Sequence, residues 1–480
     1  MGQNPPVRRP FDSLKMALDF LKSKMNRSAI RSVRKRGARI DRFKLTRKSR
    51  IREELLADPE IARAVNVHAR ETGLDADAVW AKVDEYIDEI VPFFSILAYY
   101  RFGFFVSRAM LNMFYKVSAD QHGARGPDTL PKDAIVVYLM NHRSNADYLL
   151  VGYVLTGKVA ISYAVGEWAR AFPLEYIFKS FGSYFIRRKF REPLYHKVLE
   201  RYVQMITKNG VTQGIFPEGG LSRDGKLRTA KIGLLDYIIC IGREPEYRDR
   251  LYLVPVGISY DRVLEDRSLL RELAITEGQR TPPRSAQFYE VAKYAWWNSG
   301  RLLARRWKRY GRAAVTIGEP VPLAPWFALQ DAEGEGLFEL PRHERLARVQ
   351  QLCDEMMGRI GSIIPVTPVS LACAAIQSLD SDFLPKEKLI ERMSDMREVL
   401  AELNARVIKS EGSIEETFDR AWKMLRMRHM LVESGNGYAV MPANRGLVSY
   451  YANSIAHLLG PFEAGVRARD TLPAMKGWKA

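Results

Sequence analysis

Apolar and polar residues follow two different periods along the middle of the chain. Short apolar runs, typical of buried strands, occur at 134–140, 159–165, 184–187, 214–217 and 251–259. Stretches with helical spacing lie between them, near 146–155, 167–180, 193–208 and 230–242. Pro193 suits a first helical turn, and Gly210 suits the position after a helix end. Strands that alternate with helices predict an α/β layered core.

The flanks of this segment have helical patterns. Residues 51–117 have helical apolar spacing, and Asp75 can cap the helix that follows it. A loop rich in Gly and Pro at 123–131 separates them from the alternating segment, and helix returns beyond Pro368. We therefore predict four regions, listed here in chain order: a basic, flexible arm at 1–50, a helical front domain at 51–122, an α/β domain at 123–325 and a helical C-terminal region at 326–480.

The composition is that of a globular protein. The chain has 480 residues, 47% of them apolar, which is enough for a large core. Its three cysteines, Cys240, Cys353 and Cys373, form no close pair and have no histidine nearby at metal-ligand spacing. We expect neither a disulfide framework nor a zinc site, which fits a reducing compartment.

The positive charge is concentrated at the start of the chain. Residues 1–50 hold 16 Lys or Arg against three Asp, a net +13, which leaves +5 of the total +18 for the rest. Such an arm could bind phosphates of lipid headgroups or of nucleic acid. A solvated tail and an organelle transit peptide are the alternatives. No named nucleic-acid motif occurs, so we expect an anionic membrane surface and no nucleic acid as partner.

Two stretches come near the length of a membrane span. Residues 90–117 are rich in aromatic and aliphatic side chains, but Arg101 and Arg108 interrupt them. They are more typical of an interfacial or groove-lining helix. Residues 360–379 are uncharged, but Pro365 and Pro368 favour a buried helix there. We expect the chain to contact one face of a membrane and not to cross it.

The first candidate for chemistry is the segment 141–148, NHRSNADY, directly after an apolar strand. On a helix His142 and Asp147 would diverge by roughly 140°. A turn at Ser144 or Asn145 could bring the two side chains together. A histidine held by a carboxylate is a suitable general base, because the carboxylate fixes its tautomer. A capping turn with a surface histidine is the alternative.

Two further segments could bind an anion. Residues 182–188, GSYFIRR, form a strand that ends in Arg187 and Arg188, of which only one would face a given site. Residues 216–226, FPEGGLSRDGK, run from a strand into a glycine loop, whose backbone N–H groups can approach a phosphate closely. Ser222 and Arg223 would add side-chain donors. A solvated strand end and an ordinary turn are the alternatives.

The order of these segments resembles a known family. His142 with Asp147, FIRR at 185–188, EGG at 218–220 and VPVG at 254–257 look like the four ordered blocks of the glycerolipid acyltransferases. The segments LADP at 56–59, GEPVP at 318–322 and YYANSIAH at 450–457 are similar to the larger glycerol-3-phosphate acyltransferases of bacterial membranes and mitochondria. The resemblance runs from about residue 55 to 460 and implies a layered α/β acyltransferase core with a mixed sheet.

This resemblance also implies roles for residues. His142 would deprotonate the acceptor hydroxyl, and Asp147 would orient His142. The residues that would bind the acceptor phosphate are Arg187 or Arg188, Gly219, Gly220, Ser222 and Arg223, with Glu218 ordering their loop. The residues that would shape the acyl or donor side are Val254, Pro255, Val256 and Gly257. No metal or redox cofactor is implied.

The implied reaction transfers a fatty acyl group from acyl-CoA or acyl carrier protein to the sn-1 hydroxyl of glycerol 3-phosphate. Its setting would be the cytoplasmic face of a bacterial inner membrane or a mitochondrial outer membrane. One departure leaves the acceptor open, because Leu221 stands where that subgroup usually has arginine. Dihydroxyacetone phosphate or a lysophospholipid are alternative acceptors. A non-catalytic peripheral lipid-binding protein is the rival class, against which the intact His142 and Asp147 argue.

Overall fold

The computed structural model describes residues 41–95, 99, 103–155, 159–170, 174–188, 190–276, 310–332, 336–408 and 412–460. Most of the basic arm and part of the aromatic stretch 90–117 lie outside the described residues.

The α-helices of the described residues are, in chain order, α1 Lys48–Leu56, α2 Pro59–Thr72, α3 Ala76–Ile90, α4 Phe104–Phe114, α5 Asp147–Leu155, α6 Leu174–Ser180, α7 Pro193–Lys208, α8 Gly233–Ile239, α9 Pro245–Arg248, α10 Asp266–Thr276, α11 Ala324–Ala332, α12 Arg342–Ser362, α13 Pro368–Leu379, α14 Lys386–Glu402, α15 Ile414–Met427, α16 Arg445–Asn453 and α17 Ala456–Leu459. Short 3₁₀ turns occur at Arg42–Leu45, Pro127–Thr129, Glu167–Arg170, Cys240–Arg243 and Pro442–Asn444. Within the described part of the chain, no helix combines the length and the apolarity that a membrane crossing needs.

The strands are β1 Lys116–Gln121, β2 Ile135–Met140, β3 Ser162–Gly166, β4 Tyr184–Ile186, β5 Gln213–Ile215, β6 Leu251–Tyr260, β7 Arg312–Ile317, β8 Val321–Pro322, β9 Phe383–Pro385, β10 Leu431–Ser434 and β11 Gly437–Val440. The chain divides into two units. The front unit contains described residues up to 108 together with 152–213, and the main unit contains 109–151 together with the described residues from 214.

The front unit packs α2 and α3 against α7. Helix α7 begins with Pro193 and buries an apolar face, as its helical spacing predicts. Asp58 caps α2 by accepting a 2.9 Å bond from the backbone N–H of Glu60. Its second carboxylate oxygen accepts a bond from Arg201 of α7 at 2.8 Å, which ties the two helices together. Strands β3 and β4 pair in parallel in this unit.

The main unit is built on a mixed sheet. Strand β2 is buried along its whole length and runs parallel to β6, with Ile135 opposite Leu251 and Met140 opposite Val256. Strand β7 is antiparallel to β6 and parallel to β1, and β8 is antiparallel to β6. Strands buried on both faces read as near-continuous apolar runs, which is why the sequence located β2 and β6 well. The prediction of an α/β fold with a mixed sheet is confirmed.

Several elements differ from the sequence expectations. Strand β1 lies in the stretch 51–122 that the sequence assigned to helix, and it pairs with β7 in the main unit. The uncharged stretch 360–379 is two helices, because Thr367 caps a new helix, α13, whose residues are mostly buried. The C-terminal region also contains a small antiparallel sheet of β9, β11 and β10, where only helix was expected.

Candidate active site

The site begins at the carboxyl end of β2, where residues 141–146 form a turn before α5. Asn141 fixes this point, because its amide group donates to the carbonyl of Ile258 at 2.9 Å and accepts from the N–H of Ile258 at 2.7 Å. Ile258 belongs to β6, the parallel neighbour of β2. The turn therefore starts at a defined place on the edge of the sheet, where polar residues after parallel strands meet.

The turn brings His142 and Asp147 together. Nδ1 of His142 lies 2.9 Å from Oδ2 of Asp147, and both side chains are buried. Oδ2 also accepts from the backbone N–H groups of Arg143 at 2.7 Å and Ser144 at 3.0 Å. Oδ1 accepts from the hydroxyl of Tyr260 at 2.6 Å. The pairing expected from the sequence is present, and the surface-histidine alternative does not describe this geometry.

Three carboxylates hold the backbone of the turn. Glu218 accepts from the N–H of His142 at 2.8 Å, Asp147 accepts from the next two N–H groups, and Glu265 accepts from that of Asn145 at 3.1 Å. Glu265 also accepts from the hydroxyl of Ser144 at 2.7 Å. Buried N–H groups need partners, and those of residues 142–145 find theirs in these carboxylates. The carboxylates therefore fix the turn before any substrate binds.

Burial alters the acidity of two of these carboxylates. It raises the pKa of Glu265 to about 7, although the hydrogen bond from Ser144 acts in the opposite direction. Burial also raises the pKa of Glu218, while the positive charge of Arg143 and the bond from the N–H of His142 act against it. Burial therefore makes both carboxylates easier to protonate than carboxylates exposed to solvent.

Aromatic rings fix the plane of the imidazole. The ring of His142 stacks on Phe216 with centroids 4.0 Å apart and planes inclined at 23°. Tyr148 meets the same imidazole edge-on at 5.5 Å. With Nδ1 directed at Asp147, the nitrogen that would exchange a proton with an acceptor is Nε2.

The glycine loop joins this site through its backbone. The N–H of Ser222 donates to the carbonyl of His142 at 3.1 Å. Gly219 has a positive φ of 67°, and an added Cβ would lie 2.8 Å from the side chain of Lys231, so glycine suits this position. Gly220 follows and is partly exposed.

Ser222 is placed differently from the sequence expectation. Its side chain is buried, and its hydroxyl lies 2.7 Å from the carbonyl oxygen of Lys226 and 3.2 Å from Oδ1 of Asp224. Those contacts use the hydroxyl within the loop. Ser222 therefore holds the shape of the loop here, and its role in phosphate binding stays a prediction.

Exposed cations surround the loop. Arg223 is exposed and forms a 3.3 Å ion pair with Glu272. Arg228, which the sequence argument missed, is also exposed. Its backbone N–H donates to Glu218 at 3.1 Å, and its guanidinium lies 3.3 Å from the carbonyl of Leu221. A guanidinium therefore lies beside the position where Leu221 departs from the family pattern.

Arg187 and Arg188 belong to the front unit. The guanidinium of Arg187 forms a fork with the buried carboxylate of Glu89, with Nε 2.9 Å from Oε1. It also lies 4.8 Å from the centre of the Phe190 ring. Arg188 is exposed, and its side chain passes over Gly166. Of the two arginines, Arg188 is the more accessible to solvent, and its role in phosphate binding stays a prediction.

The four residues Val254, Pro255, Val256 and Gly257 lie inside β6. All are buried, and an added Cβ at Gly257 would lie 2.5 Å from the carbonyl oxygen of Ile363. The strand positions Ile258, which bonds to Asn141, and Tyr260, which bonds to Asp147. The suggestion that the four residues shape the acyl or donor side stays a prediction.

Tyr260 and Glu265 were missed although the sequence carried a signal for them. Tyr260 ends β6 and Glu265 follows it, just as His142 and Asp147 follow β2, and the two strands are parallel neighbours. Polar groups at the carboxyl ends of such strands converge at one edge of the sheet. That rule predicts that the polar residues near 259–266 lie close to the turn at 141–146, which carries His142.

Comparisons with known proteins found two family models and a set of curated relatives that match this chain. The acyltransferase family model matches residues 123–259, and the model of the glycerol-3-phosphate acyltransferase C-terminal region matches residues 299–461. A curated glycerol-3-phosphate acyltransferase from Xylella fastidiosa strain M23 is 28% identical over 418 residues, which cover 85% of this chain and 46% of the relative. One from Aeromonas hydrophila is 27% identical, covering 86% of this chain and 50% of the relative.

The chain spans about half the length of the curated relatives it matches. Among solved structures, a 1-acyl-sn-glycerophosphate acyltransferase from Thermotoga maritima matches with 19% identity and a TM-score of 0.30, covering 54% of this chain and 78% of that chain. The chain therefore carries an acyltransferase domain followed by a glycerol-3-phosphate acyltransferase C-terminal region, the same two parts of the sequence that it shares with the curated glycerol-3-phosphate acyltransferases.

Proposed function

We propose that the chain is a glycerol-3-phosphate 1-O-acyltransferase, which transfers a fatty acyl group from acyl-CoA or acyl carrier protein to glycerol 3-phosphate and yields lysophosphatidic acid. The observation that carries this proposal is the buried pair of His142 and Asp147, 2.9 Å apart, next to a glycine loop with exposed arginines. The names of the curated relatives support the choice of acceptor.

The transfer needs one base and no covalent acyl-enzyme. Nε2 of His142 takes the proton of the acceptor hydroxyl while the hydroxyl oxygen attacks the thioester carbonyl carbon, so that a C–O bond forms. The tetrahedral intermediate collapses, the C–S bond breaks, and the imidazolium returns its proton to the departing thiolate. Asp147 stabilises the imidazolium between these two steps. Since the carboxylates already fix the turn, little reorganisation accompanies the reaction.

The acceptor phosphate would be bound by the glycine loop and its cations. Arg223 and Arg228 present guanidinium groups that match phosphate oxygens in geometry and charge. Backbone N–H groups near Gly219 and Gly220 can approach an anion closely because no side chain intervenes. Glu218 would act indirectly, by holding both the histidine turn and the loop.

The proposal is tested with purified protein, labelled acyl-CoA and a panel of acceptors. We expect the highest kcat/KM with sn-glycerol 3-phosphate, a lower value with dihydroxyacetone phosphate, and little transfer to glycerol. Leu221 makes the panel informative, since a changed loop could change acceptor choice. A preference for a lysophospholipid, or release of CoA that is independent of any acceptor, would overturn the assignment of glycerol 3-phosphate.

Membrane association is the second part of the proposal. The net charge of +13 in residues 1–50 suits an anionic surface, such as the cytoplasmic face of a bacterial inner membrane or a mitochondrial outer membrane, at about 1 kcal/mol per cation. Deleting residues 1–40, which carry +9 of this net charge, should reduce sedimentation with anionic vesicles at low salt, and the difference should shrink as salt rises. Equal binding of both forms at low salt would assign the arm another role.

A further inference from the structure

The C-terminal helix α16 contacts the glycine loop directly. The side-chain amide of Asn453 donates to the carbonyl of Asp224 at 2.9 Å. Arg143, which lies within the histidine turn, donates to the carbonyl of Gly225 and lies 3.4 Å from that of Lys226. The same guanidinium reaches the carbonyl of Ser454 at 3.4 Å. Three consecutive loop carbonyls are therefore bonded by side chains of the turn and of α16.

The loop and the helix also touch without side chains. Gly225 has a positive φ of 86°, and a Cβ added there would overlap the carbonyl oxygen of Tyr450. Only glycine permits this approach. The carbonyls of residues 224–226 belong to no helix or strand. Those of Asp224 and Gly225 are bonded by Asn453 and Arg143, and that of Lys226 also accepts from the hydroxyl of Ser222 within the loop. The path of the loop past Arg223 therefore depends on the end of α16.

We propose that Asn453 is a positioning residue for the acceptor phosphate: the C-terminal region sets the conformation of the glycine loop through Asn453, with Arg143 linking the loop to the histidine turn. This inference rests on the proposed function. Asn453 donates to the residue next to Arg223, so loss of its bond displaces the guanidinium and the loop N–H groups that face the phosphate. The imidazole and its carboxylate keep their own partners.

The chain offers a matched control for this residue. Asn444, at the start of α16, is half-buried like Asn453, and its amide donates to the backbone carbonyl of His429 at 2.8 Å. It has the same side chain and the same kind of bond, but its partner lies outside the loop. Asn453→Ala and Asn444→Ala in the full chain therefore differ mainly in whether the glycine loop loses a bond.

The test measures kcat, the KM for sn-glycerol 3-phosphate, the KM for acyl-CoA and the melting temperature of both variants. Asn453→Ala should raise the acceptor KM roughly 3- to 10-fold, the size expected for one lost hydrogen bond, with the donor KM unchanged. Asn444→Ala should leave both KM values unchanged. The side chain in Asn453→Asp cannot donate and repels the carbonyl of Asp224, so this variant should raise the acceptor KM at least as much. It replaces Asn453→Ala in the test if the alanine variant fails to fold.

Two results would overturn the inference. One is an acceptor KM in Asn453→Ala equal to that of Asn444→Ala, and the other is an equal rise in both KM values of Asn453→Ala. A wild-type chain without turnover would defeat the proposed function instead. Calorimetric titration with sn-glycerol 3-phosphate would then test the inference. It predicts a higher Kd for Asn453→Ala than for wild type and for Asn444→Ala. Equal Kd values, or no binding to the wild type, would overturn it.

Discussion

Asp147→Asn separates the charge of the proposed catalytic pair, His142 and Asp147, from its geometry. Oδ2 of Asp147 faces the imidazole and two backbone N–H groups, all of which donate, whereas the partner of Oδ1 among the described residues is the hydroxyl of Tyr260. A hydroxyl can rotate to accept. The introduced amide therefore turns its NH₂ group toward Tyr260 and its oxygen toward His142. The Nδ1–H tautomer of the imidazole survives, and the negative charge is lost.

The magnitude follows from the distance. At about 4 Å between charges and an effective dielectric constant near 20, a carboxylate stabilises an imidazolium by about 4 kcal/mol. Because the imidazolium exists only during transfer, this loss falls on kcat and amounts to about 10³-fold. We expect both KM values to stay near wild type. The melting temperature should change little, since each hydrogen bond of this side chain keeps a donor and an acceptor.

The assay is steady-state transfer from labelled acyl-CoA, with unfolding followed by circular dichroism. Tyr260→Phe is the companion variant, because it removes the bond to Oδ1 and leaves the charge, with an expected loss of kcat of roughly 10-fold. In the double variant the introduced amide has no hydroxyl partner, so the pair of residues 142 and 147 loses both its geometry and its negative charge. A folded Asp147→Asn chain with kcat within about threefold of wild type would refute the role of the charge.

Three further outcomes follow from the same contacts. Glu218→Gln should lower kcat at least about 10-fold, because a single amide oxygen cannot accept from both N–H groups that the carboxylate binds, while the exposed control Glu355→Gln should have no effect. The pKa of Glu265 is raised from 4.5 to about 7, so the folded chain binds more protons there than the unfolded chain between these values. That contribution to stability is present below pH 4.5 and is lost as the pH rises through 7. In urea unfolding, the free energy of unfolding of Glu265→Gln relative to wild type should therefore be higher at pH 8 than at pH 5. An equal difference at both pH values would contradict the raised pKa of Glu265. Arg223→Ala and Arg228→Ala should each raise the acceptor KM about 10-fold and leave the donor KM unchanged, and loss of donor affinity alone would assign these cations to the donor's phosphates.

The central contact of the site could be predicted because it is local. His142 and Asp147 are five residues apart, directly after an apolar strand, and only a turn can bring them together. The glycines of the loop were also readable, since Gly219 has the backbone conformation that glycine adopts easily. The strands β2 and β6 were placed well because both are buried and almost entirely apolar.

The partners of the site could not be read in the same way. Tyr260 lies 113 residues from Asp147, and Ser454 lies 311 residues from Arg143. One sequence does not indicate which polar side chains meet across such separations. Ser222 was assigned to the phosphate from its place in the loop, but its hydroxyl is used inside that loop. The bonding needs of a loop depend on its conformation, which composition does not give.

The small C-terminal sheet was missed for a different reason. Strands β10 and β11 are short, and charged residues before them suggested continued helix. Gly435 has a positive φ of 55° between the paired Ser434 and Gly437, which is the signature of a two-residue hairpin turn. The sequence SGNG at 434–437 carried that signal. The helical periodicity upstream led to a prediction of continued helix, although a turn of this kind ends a helix.

The most direct test of the account is acyl transfer to sn-glycerol 3-phosphate by the wild type and by His142→Ala, compared at equal concentration of folded protein. Removal of a positioned base typically costs about 10²- to 10⁴-fold, so the variant should lose transfer by that factor and keep its affinity for both substrates. Its circular dichroism spectrum and melting behaviour should show an intact fold. A folded His142→Ala chain that transfers acyl groups at a rate near wild type would contradict the assignment of His142 as the base.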